Sequence, residues 1–428
     1  MTPNVIIVDI DTLRADHLGC YGYSRATSPN IDAFSEESIL FEWAFAQAPN
    51  TPPSQSSILT GMYPTSHGRI GNEQKIPDRV ETFAEVLRNS GYATAAFVDG
   101  GLMVAGYGME QGFDVYDDAG GHLKEIGPKV MRWIDEHLRS RDTATQPILL
   151  LVHTYDVHSP YELSPDPYRS TFVSEVTPPP ATFRNDMSKF MADVWNRRLE
   201  PDAPTLNEIE LQWAKAMYDG GIRHVDAWFG EFQQYLEKRG LLDNSYVVII
   251  SDHGDEFQEH GSLFHDKIYA SVTRVPLIIR PPAAAANRRS DRVVETIDLA
   301  PTLLDALELE IPTTMQGRSL MPILRGEALG GAFGFSESPY YGRRIAVTAE
   351  DLRLILSRKS GNVELYRFRH DRLEQNDIAA EHAADVERLT AAIDAWERRV
   401  TEAASPAEEG RGFSEEAIEQ LKTLGYIQ

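Results

Sequence analysis

Carboxylates and imidazoles crowd into three short stretches of this chain, and a fourth stretch supplies a hydroxyl. The segment VDIDTLRAD carries Asp9 and Asp11 two residues apart, so on a strand both side chains leave from one face. Such carboxylates can hold a hard cation, although a strand-end aspartate also commonly caps the next turn. HTYDVHSPY places His153, Asp156 and His158 in one loop, and SDHGDEFQEHGSLFHDK contains Asp252, His253, Asp255, His260, His265 and Lys267. An Asp-His dipeptide suits borderline cations, since imidazole favours Mn, Fe or Zn while carboxylate accepts almost any of them. Five of the 12 histidines fall in these two loops, a concentration that random scatter does not favour. Thr51, in APNTPPSQSSILTG, is the hydroxyl. It reads as the N-cap of a short amphipathic helix with Pro52 at the first helical position. The same place lies in the positive field of a helix N-terminus, where an anion or an activated oxyanion is stabilised. Carboxylates, one imidazole and this hydroxyl would form a metal site. His158, His265 or Lys267 would then neutralise charge on the substrate, which makes phosphoryl or sulfuryl transfer the natural reaction class.

These groups must be positioned by strands. Val5 to Ile10, Ala93 to Val98, Ile148 to Val152, Tyr246 to Ile250 and Leu277 to Ile279 are short apolar runs that end at polar residues, as buried strands do. Between them lie helical patterns, the clearest being Tyr218, Ile222, Val225, Phe229, Phe232 and Leu236, which form one apolar stripe. This alternation implies an α/β fold, a mixed and mostly parallel sheet between helical layers, with functional groups at the C-terminal strand ends. Residues 159–206 are too rich in proline and polar groups for a sheet strand and read as an insertion near the site. Past Pro281, PPAAAANRRS reads as a loop, Val293 to Leu307 as a helix and Ile345 to Phe368 as a small antiparallel sheet. A catalytic domain over 1–325 and a smaller α+β subdomain over 326–428 are therefore expected. The acidic TEAASPAEEGRG reads as a solvated linker before a last short helix.

With 428 residues and 42% hydrophobic content, the chain can bury a large core. A net charge of -24 opposes nucleic acid and anionic membranes as general partners, so an anionic substrate needs a local cation. The single Cys20 rules out an intrachain disulfide. No basic stretch precedes the first apolar run, and that run is too short to span a bilayer, so a cytoplasmic location is expected.

The chain resembles the sulfatase family of the alkaline phosphatase superfamily. NVIIVDIDTLRADHLGCYGY, SILTGMYPTSHGRIGN, GYATAAFV, YDVHSPY, IISDHGDEFQEHG, RVPLIIR, DLAPTLLDALEL, MQGRSLMPILRG and LKTLGYI look like family segments in family order. The resemblance implies one divalent metal ion (Mn, Zn, Ca or Mg) on Asp11, Asp252 and His253, with Thr51 at the nucleophile position and touching the metal. It gives Asp9 no counterpart. His158 matches a histidine that protonates the leaving group or binds the transferred oxygens, and Asn72 a polar pocket residue. Either His265, by spacing, or Lys267, by chemistry, matches a lysine that contacts the anion.

Departures from the family refine this expectation. A usual sulfatase has Cys or Ser at the nucleophile position, oxidised to formylglycine, and an arginine four residues on. Here Thr51 and Gln55 occupy those places. Threonine's β-carbon carries a methyl group, so the same oxidation cannot yield that aldehyde and no formylglycine is expected. The Thr51 and Asp-His pattern looks like the phosphonate monoester hydrolase and phosphodiesterase branch. A phosphodiester or phosphonate monoester hydrolase acting on a small anionic ester is therefore expected, possible as a homo-oligomer. Sulfate or sulfamate ester hydrolysis, a phosphoryl-type transferase, and an inactive sulfatase-like binding protein are the alternatives.

Overall fold

Every residue of the first strand, β1 (Asn4–Ile10), is buried, and its alternation divides the interior in two. Ile6, Val8 and Ile10 enter one apolar cluster, whereas Val5 and Ile7 enter another on the opposite face. Asp9 shares the face of Val5 and Ile7 by the same period. The computed structural model describes residues 2–140, 145–200, 202–283, 288–331 and 333–424. Part of the expected PPAAAANRRS loop (284–287) and the end of LKTLGYI (425–427) lie outside the described residues.

The further strands of the large sheet are β2 (Ile39–Phe45), β3 (Ala93–Phe97), β4 (Val115–Asp117), β5 (Ile148–Thr154), β6 (Ser245–Ile250), β7 (Arg274–Val275), β8 (Leu277–Arg280) and β9 (Arg288–Glu295). They lie in the order β7-β2-β8-β6-β1-β5-β3-β4, with β9 paired to β2. From β6 through β4 all pairings are parallel, and β8 runs antiparallel to both of its neighbours. Helices cover both faces, as the sequence predicts. On the Val5 side lie α1 (Thr51–Thr60) and the later Leu299–Ala306 helix. On the Ile6 side lie α2 (His122–Arg139), α3 (Met187–Arg197) and α4 (Glu208–Lys238). The predicted stripe from Tyr218 to Leu236 is fully buried along α4, and removing one of its aromatic rings should cost about 3–5 kcal/mol. No helix among the described residues is long and apolar enough to cross a membrane.

A second, antiparallel sheet comprises β10 (Gly334–Ser338), β11 (Arg344–Ala349), β12 (Leu352–Ser357) and β13 (Val363–Tyr366). It is covered by α5 (Ala383–Glu402), whose Leu389, Ile393, Trp396 and Val400 join its core.

Two expectations are corrected and a third is extended. Val293 to Glu295 is not helical but the end of β9, where Val293, Val294 and Glu295 pair with β2; the helix begins only at Leu299. Among the described residues the insertion contains no sheet strand, as expected, and contains α3, which buries Met187, Met191, Val194 and Trp195 in the main core. The acidic tail is not a free linker: Glu408–Glu409 pairs with Gln74–Lys75, and α6 (Glu415–Thr423) buries Ala417 and Leu421.

Candidate active site

Three adjacent parallel strands end together. Asp9 on β1 is the register partner of His153 on β5 and of Ile250 on β6. Asp11 follows β1 by one residue and Asp252 follows β6 by two, so both carboxylates stand at the C-terminal sheet edge. The next residue, Thr12, has φ +58°, a region that β-branched residues rarely enter. Its carbonyl accepts from Tyr218 Oη at 2.8 Å, so the α4 stripe holds the strained turn in place. After Asp252, the close packing of Gly254 fixes the path of the chain: a Cβ there would lie 2.6 Å from the Ser271 carbonyl oxygen.

α1 brings Thr51 to this edge. Thr51 is the first helical residue rather than the N-cap; Asn50 occupies the cap position in extended conformation. Every residue of α1 is buried, so the helix is not amphipathic. Ser54 Oγ donates to the Asp252 carbonyl at 2.7 Å and ties the helix to the β6 loop. The expected anion-stabilising N-terminus is weaker than its position suggests. Pro52 and Pro53 have no N–H, and the Ser54 N–H is already bonded to Asn50 O at 3.3 Å.

The resulting cluster is tight and buried. Thr51 Oγ1 donates to Asp11 Oδ2 at 3.1 Å and lies 3.3 Å from His253 Nε2. Asp11, Asp252 and His253 each offer a ligand atom within 4.8 Å of the others. All four residues have no exposed surface. His253 Nδ1 donates to the Gly254 carbonyl at 3.1 Å, which leaves the Nε2 lone pair for the cluster.

Burial raises the Asp11 and Asp252 carboxyls well above the usual range, and the neighbouring carboxylate raises each further. Asp9 rises to about 7, first through burial and then through Asp252. Burial pushes His253 well below its ordinary range. Asp11 Oδ1, Asp252 Oδ2 and both Asp9 oxygens have no hydrogen-bond partner. Buried, crowded, unbonded carboxylate oxygens facing a neutral imidazole are the donor set a divalent cation requires, and the residues fit one.

The structure brings most of the sequence-derived residues together. His265 is fully buried, its ring centred 4.4 Å from that of His253 and 5.3 Å from that of His158. His265 Nδ1 pairs with Asp255 Oδ1 at 2.6 Å, and Tyr161 Oη donates to Asp255 Oδ2 at 2.8 Å. His158 Nδ1 donates to the Ser159 carbonyl at 2.7 Å. Burial holds His158 down to about 4 and His265 to about 3. Trp195, from the insertion, packs against His265 with ring centroids 5.1 Å apart. Gln55 is buried one helical turn after Thr51, its side chain toward Asp9 and its Nε2 unbonded.

Lys267 and Asn72 do not join the cluster. Lys267 Nζ donates to the His260 carbonyl and lies 3.9 Å from Glu256, whereas His265 stands beside His253 and His158. Asn72 is half-buried and makes no hydrogen bond to the cluster among the described residues. The sequence reading named Asp9 and His153 but assigned neither to the metal set. His153 Nε2 lies 3.4 Å from Asp11 Oδ2. The two-residue spacing of Asp9 and Asp11 was the available signal for the first; the strand pairing that seats His153 is visible only in the fold.

Comparison with known proteins gives the class. The Sulfatase family model matches residues 3–309, so the chain belongs to the sulfatase family. A second model, N-sulphoglucosamine sulphohydrolase, C-terminal, matches residues 258–397. Among individual relatives, an arylsulfatase of Clostridium perfringens is 28% identical over 76% of this chain and 79% of its own. An N-acetylglucosamine-6-O-sulfatase of Bacteroides thetaiotaomicron is 26% identical over 90% of this chain and 85% of its own. The solved phosphonate monoester hydrolase of Silicibacter pomeroyi superposes with a TM-score of 0.74 at 20% identity, covering 96% of this chain and all of that one (100%), a likeness of fold.

Proposed function

We propose that this sulfatase-family hydrolase cleaves phosphodiester or phosphonate monoester bonds with Thr51 as nucleophile. The seat of Thr51 Oγ1 carries the reading: the hydroxyl is fully buried, bonded to Asp11 Oδ2 and beside His253 Nε2. A divalent cation on Asp11, Asp252 and His253, when bound, supplies Lewis-acid stabilisation of negative charge at this place.

The chain's own residues do the rest. Thr51 Oγ1 gives up its proton along the bond to Asp11 Oδ2 and forms an ester to phosphorus, while the P–O bond to the leaving group breaks. With the anionic ester bound the His158 ring is protonated, and the Nε2 proton of that imidazolium goes to the departing oxygen. Its Nδ1 is engaged with Ser159 O, which leaves Nε2 for the transfer. Water then attacks phosphorus as the P–Oγ1 bond breaks, His158 Nε2 takes the water proton, and Asp11 Oδ2 returns its proton to Thr51 Oγ1. Asp255 orients His265 through Nδ1, and Trp195 shields that ring from water.

The charge of the pocket supports monoanions. Gln55 is neutral where the family pattern has arginine, and one positive charge at contact is worth about 4 kcal/mol at an effective dielectric near 20. With Pro52 and Pro53 also removing N–H donors, a dianionic monoester loses more than a monoanionic diester. Sulfate esters are monoanions too, and the names of the two sulfatase relatives favour sulfate ester hydrolysis as the second reading. Matched aryl phosphodiester, phosphonate monoester, phosphomonoester and sulfate substrates, assayed with metal-loaded protein, separate these. The proposal expects the first two to be fastest; fastest turnover of the sulfate replaces it with the second reading, and no turnover of any substrate points to a binding protein.

A further inference from the structure

A second group of carboxylates and imidazoles stands at the same sheet edge, beyond β5. Asp99 follows β3 by two residues and Asp156 follows β5 by two. His122 opens α2 at φ +58°, directly after two glycines with positive φ, Gly120 and Gly121. Asp99, His122 and Asp156 each offer a ligand atom within 4.8 Å of the others. A fourth side chain arrives from α4, where Gly221 lets the helix press against the β5 loop and Gly220 against the Tyr168 and Arg169 carbonyls of the insertion. A Cβ on Gly221 would lie 2.8 Å from the Asp156 carbonyl oxygen. Two adjacent glycines in a helix cost about 1 kcal/mol each relative to alanine, so the close approach needs a reason. His224, three residues after Gly221 and on its face, puts Nε2 3.7 Å from Asp156 Oδ1.

Most polar atoms of the group are fixed from behind. Asp156 Oδ2 accepts from Leu123 N and Thr154 Oγ1, each at 2.8 Å. Asp99 accepts from His122 N at 2.8 Å, Tyr155 N at 2.9 Å and His122 Nδ1 at 2.8 Å. A simple capping arrangement for α2 explains those bonds. It does not explain Asp156 Oδ1, which is buried and unbonded on a residue 1% exposed, or His224, neither of whose ring nitrogens has a hydrogen-bond partner. A separation of 3.7 Å is too long for a hydrogen bond. It is close to the roughly 3.4 Å edge of a tetrahedron with metal–ligand bonds of about 2.0–2.2 Å.

We infer that Asp99, His122, Asp156 and His224 form a second divalent-cation site, distinct from the Thr51 cluster and selective for a zinc-like ion. Two imidazoles and two carboxylates match a four-coordinate borderline cation, whereas Ca²⁺ takes six to eight oxygens. On binding, the proton between His122 and Asp99 is released and the cation takes its place. The ion ties α2 and α4 to the loop that carries His158, so its role is to position that loop.

The test is a metal count on tag-free, full-length protein, stripped by chelator and reloaded with Zn²⁺ or Co²⁺. The wild type should bind about two equivalents, and Asp11→Asn/Asp252→Asn about one. With Co²⁺ that remaining equivalent should show the intense visible bands of tetrahedral coordination. Asp11→Asn/Asp252→Asn leaves the second group untouched, so failure of a second-site variant to fold does not protect the idea. His122→Ala/His224→Ala, and the milder His224→Gln, should lose the tetrahedral signal and keep the other equivalent. One equivalent in the wild type, no tetrahedral signal in Asp11→Asn/Asp252→Asn, or two equivalents retained in folded His122→Ala/His224→Ala would overturn the inference. Loss of turnover with the second site still loaded bears only on the Thr51 reading.

Discussion

The Thr51 cluster and the Asp99–His122–Asp156–His224 group sit side by side on one sheet edge, yet their carboxylates are held differently. Around Thr51, four carboxylate oxygens on Asp9, Asp11 and Asp252 have no hydrogen-bond partner. In the neighbouring group, backbone amides of Leu123, His122 and Tyr155 occupy most of the oxygens, and only Asp156 Oδ1 remains. A carboxylate fixed by amide donors keeps its place without further help. Crowded oxygens without such donors need a proton or a cation, which makes the Thr51 cluster responsive to metal and substrate. A third group shows the proton solution. Glu295 and Asp298 are buried together with no imidazole, and their oxygens accept from Phe335 N, Tyr63 Oη and Arg318 N at 2.8, 3.0 and 2.8 Å.

Four changes test this contrast. Thr51→Ala should lower kcat by about 10⁴-fold or more while the bound metal stays, because only the nucleophile is gone. Unchanged turnover would end the assignment. Next, Asp252→Asn should empty the first cluster and lower kcat by about 10³-fold, and chelation of the wild type should do the same reversibly. Metal analysis alongside rates checks whether the two losses coincide. Gln55→Arg should act on selectivity, shifting the kcat/KM ratio toward dianionic monoesters by about 10- to 100-fold. An unmoved ratio would show that Gln55 does not set the charge preference.

The smallest effect concerns the proton-held group. Burial, and then Asp298, raise the Glu295 carboxyl to about 8. Between its ordinary value of 4.5 and about 8 the folded protein holds a proton that the unfolded chain has released. Stability therefore falls as pH rises through that window, by about 1.4 kcal/mol per unit for one proton. Glu295→Gln should flatten the fall, measured as urea unfolding at pH 5 and pH 8 with the same divalent ion present. Equal slopes in both proteins would assign the pH dependence elsewhere.

Much of this arrangement could be read before folding, and the exceptions share a cause. The apolar runs of β1, β3, β5 and β6 announced themselves because parallel strands buried on both faces are locally continuous in hydrophobicity, and the antiparallel but equally buried β8 reads the same way. The α4 stripe did so by its period. β2 and β9 did not, since Ile39–Phe45 is interrupted by Glu42 and six of the eight residues of Arg288–Glu295 are polar, and β9 is a strand only through its pairing with β2. At the site, Asp11, Thr51, Asp252, His253, His158 and His265 were identified from spacing and resemblance. The seat of His153 beside Asp11 and the Asp156–His224 approach were hidden, because each depends on which strand or helix becomes a neighbour. That His265 rather than Lys267 stands beside His253 depends on a loop path that no local pattern encodes.

The seating of α6 has a consequence for how the molecule can be handled. Gln420 Oε1 accepts from Gly101 N at 2.8 Å, and its Nε2 donates to the Ala119 carbonyl at 3.0 Å. One side chain near the far end of the polypeptide thus clasps the two loops that present Asp99 and His122. Trimming the chain before Ser414, or threading a fusion partner through α6, would let those loops drift apart. An engineer who regards that terminus as a convenient handle would be pulling on the latch of the second cluster.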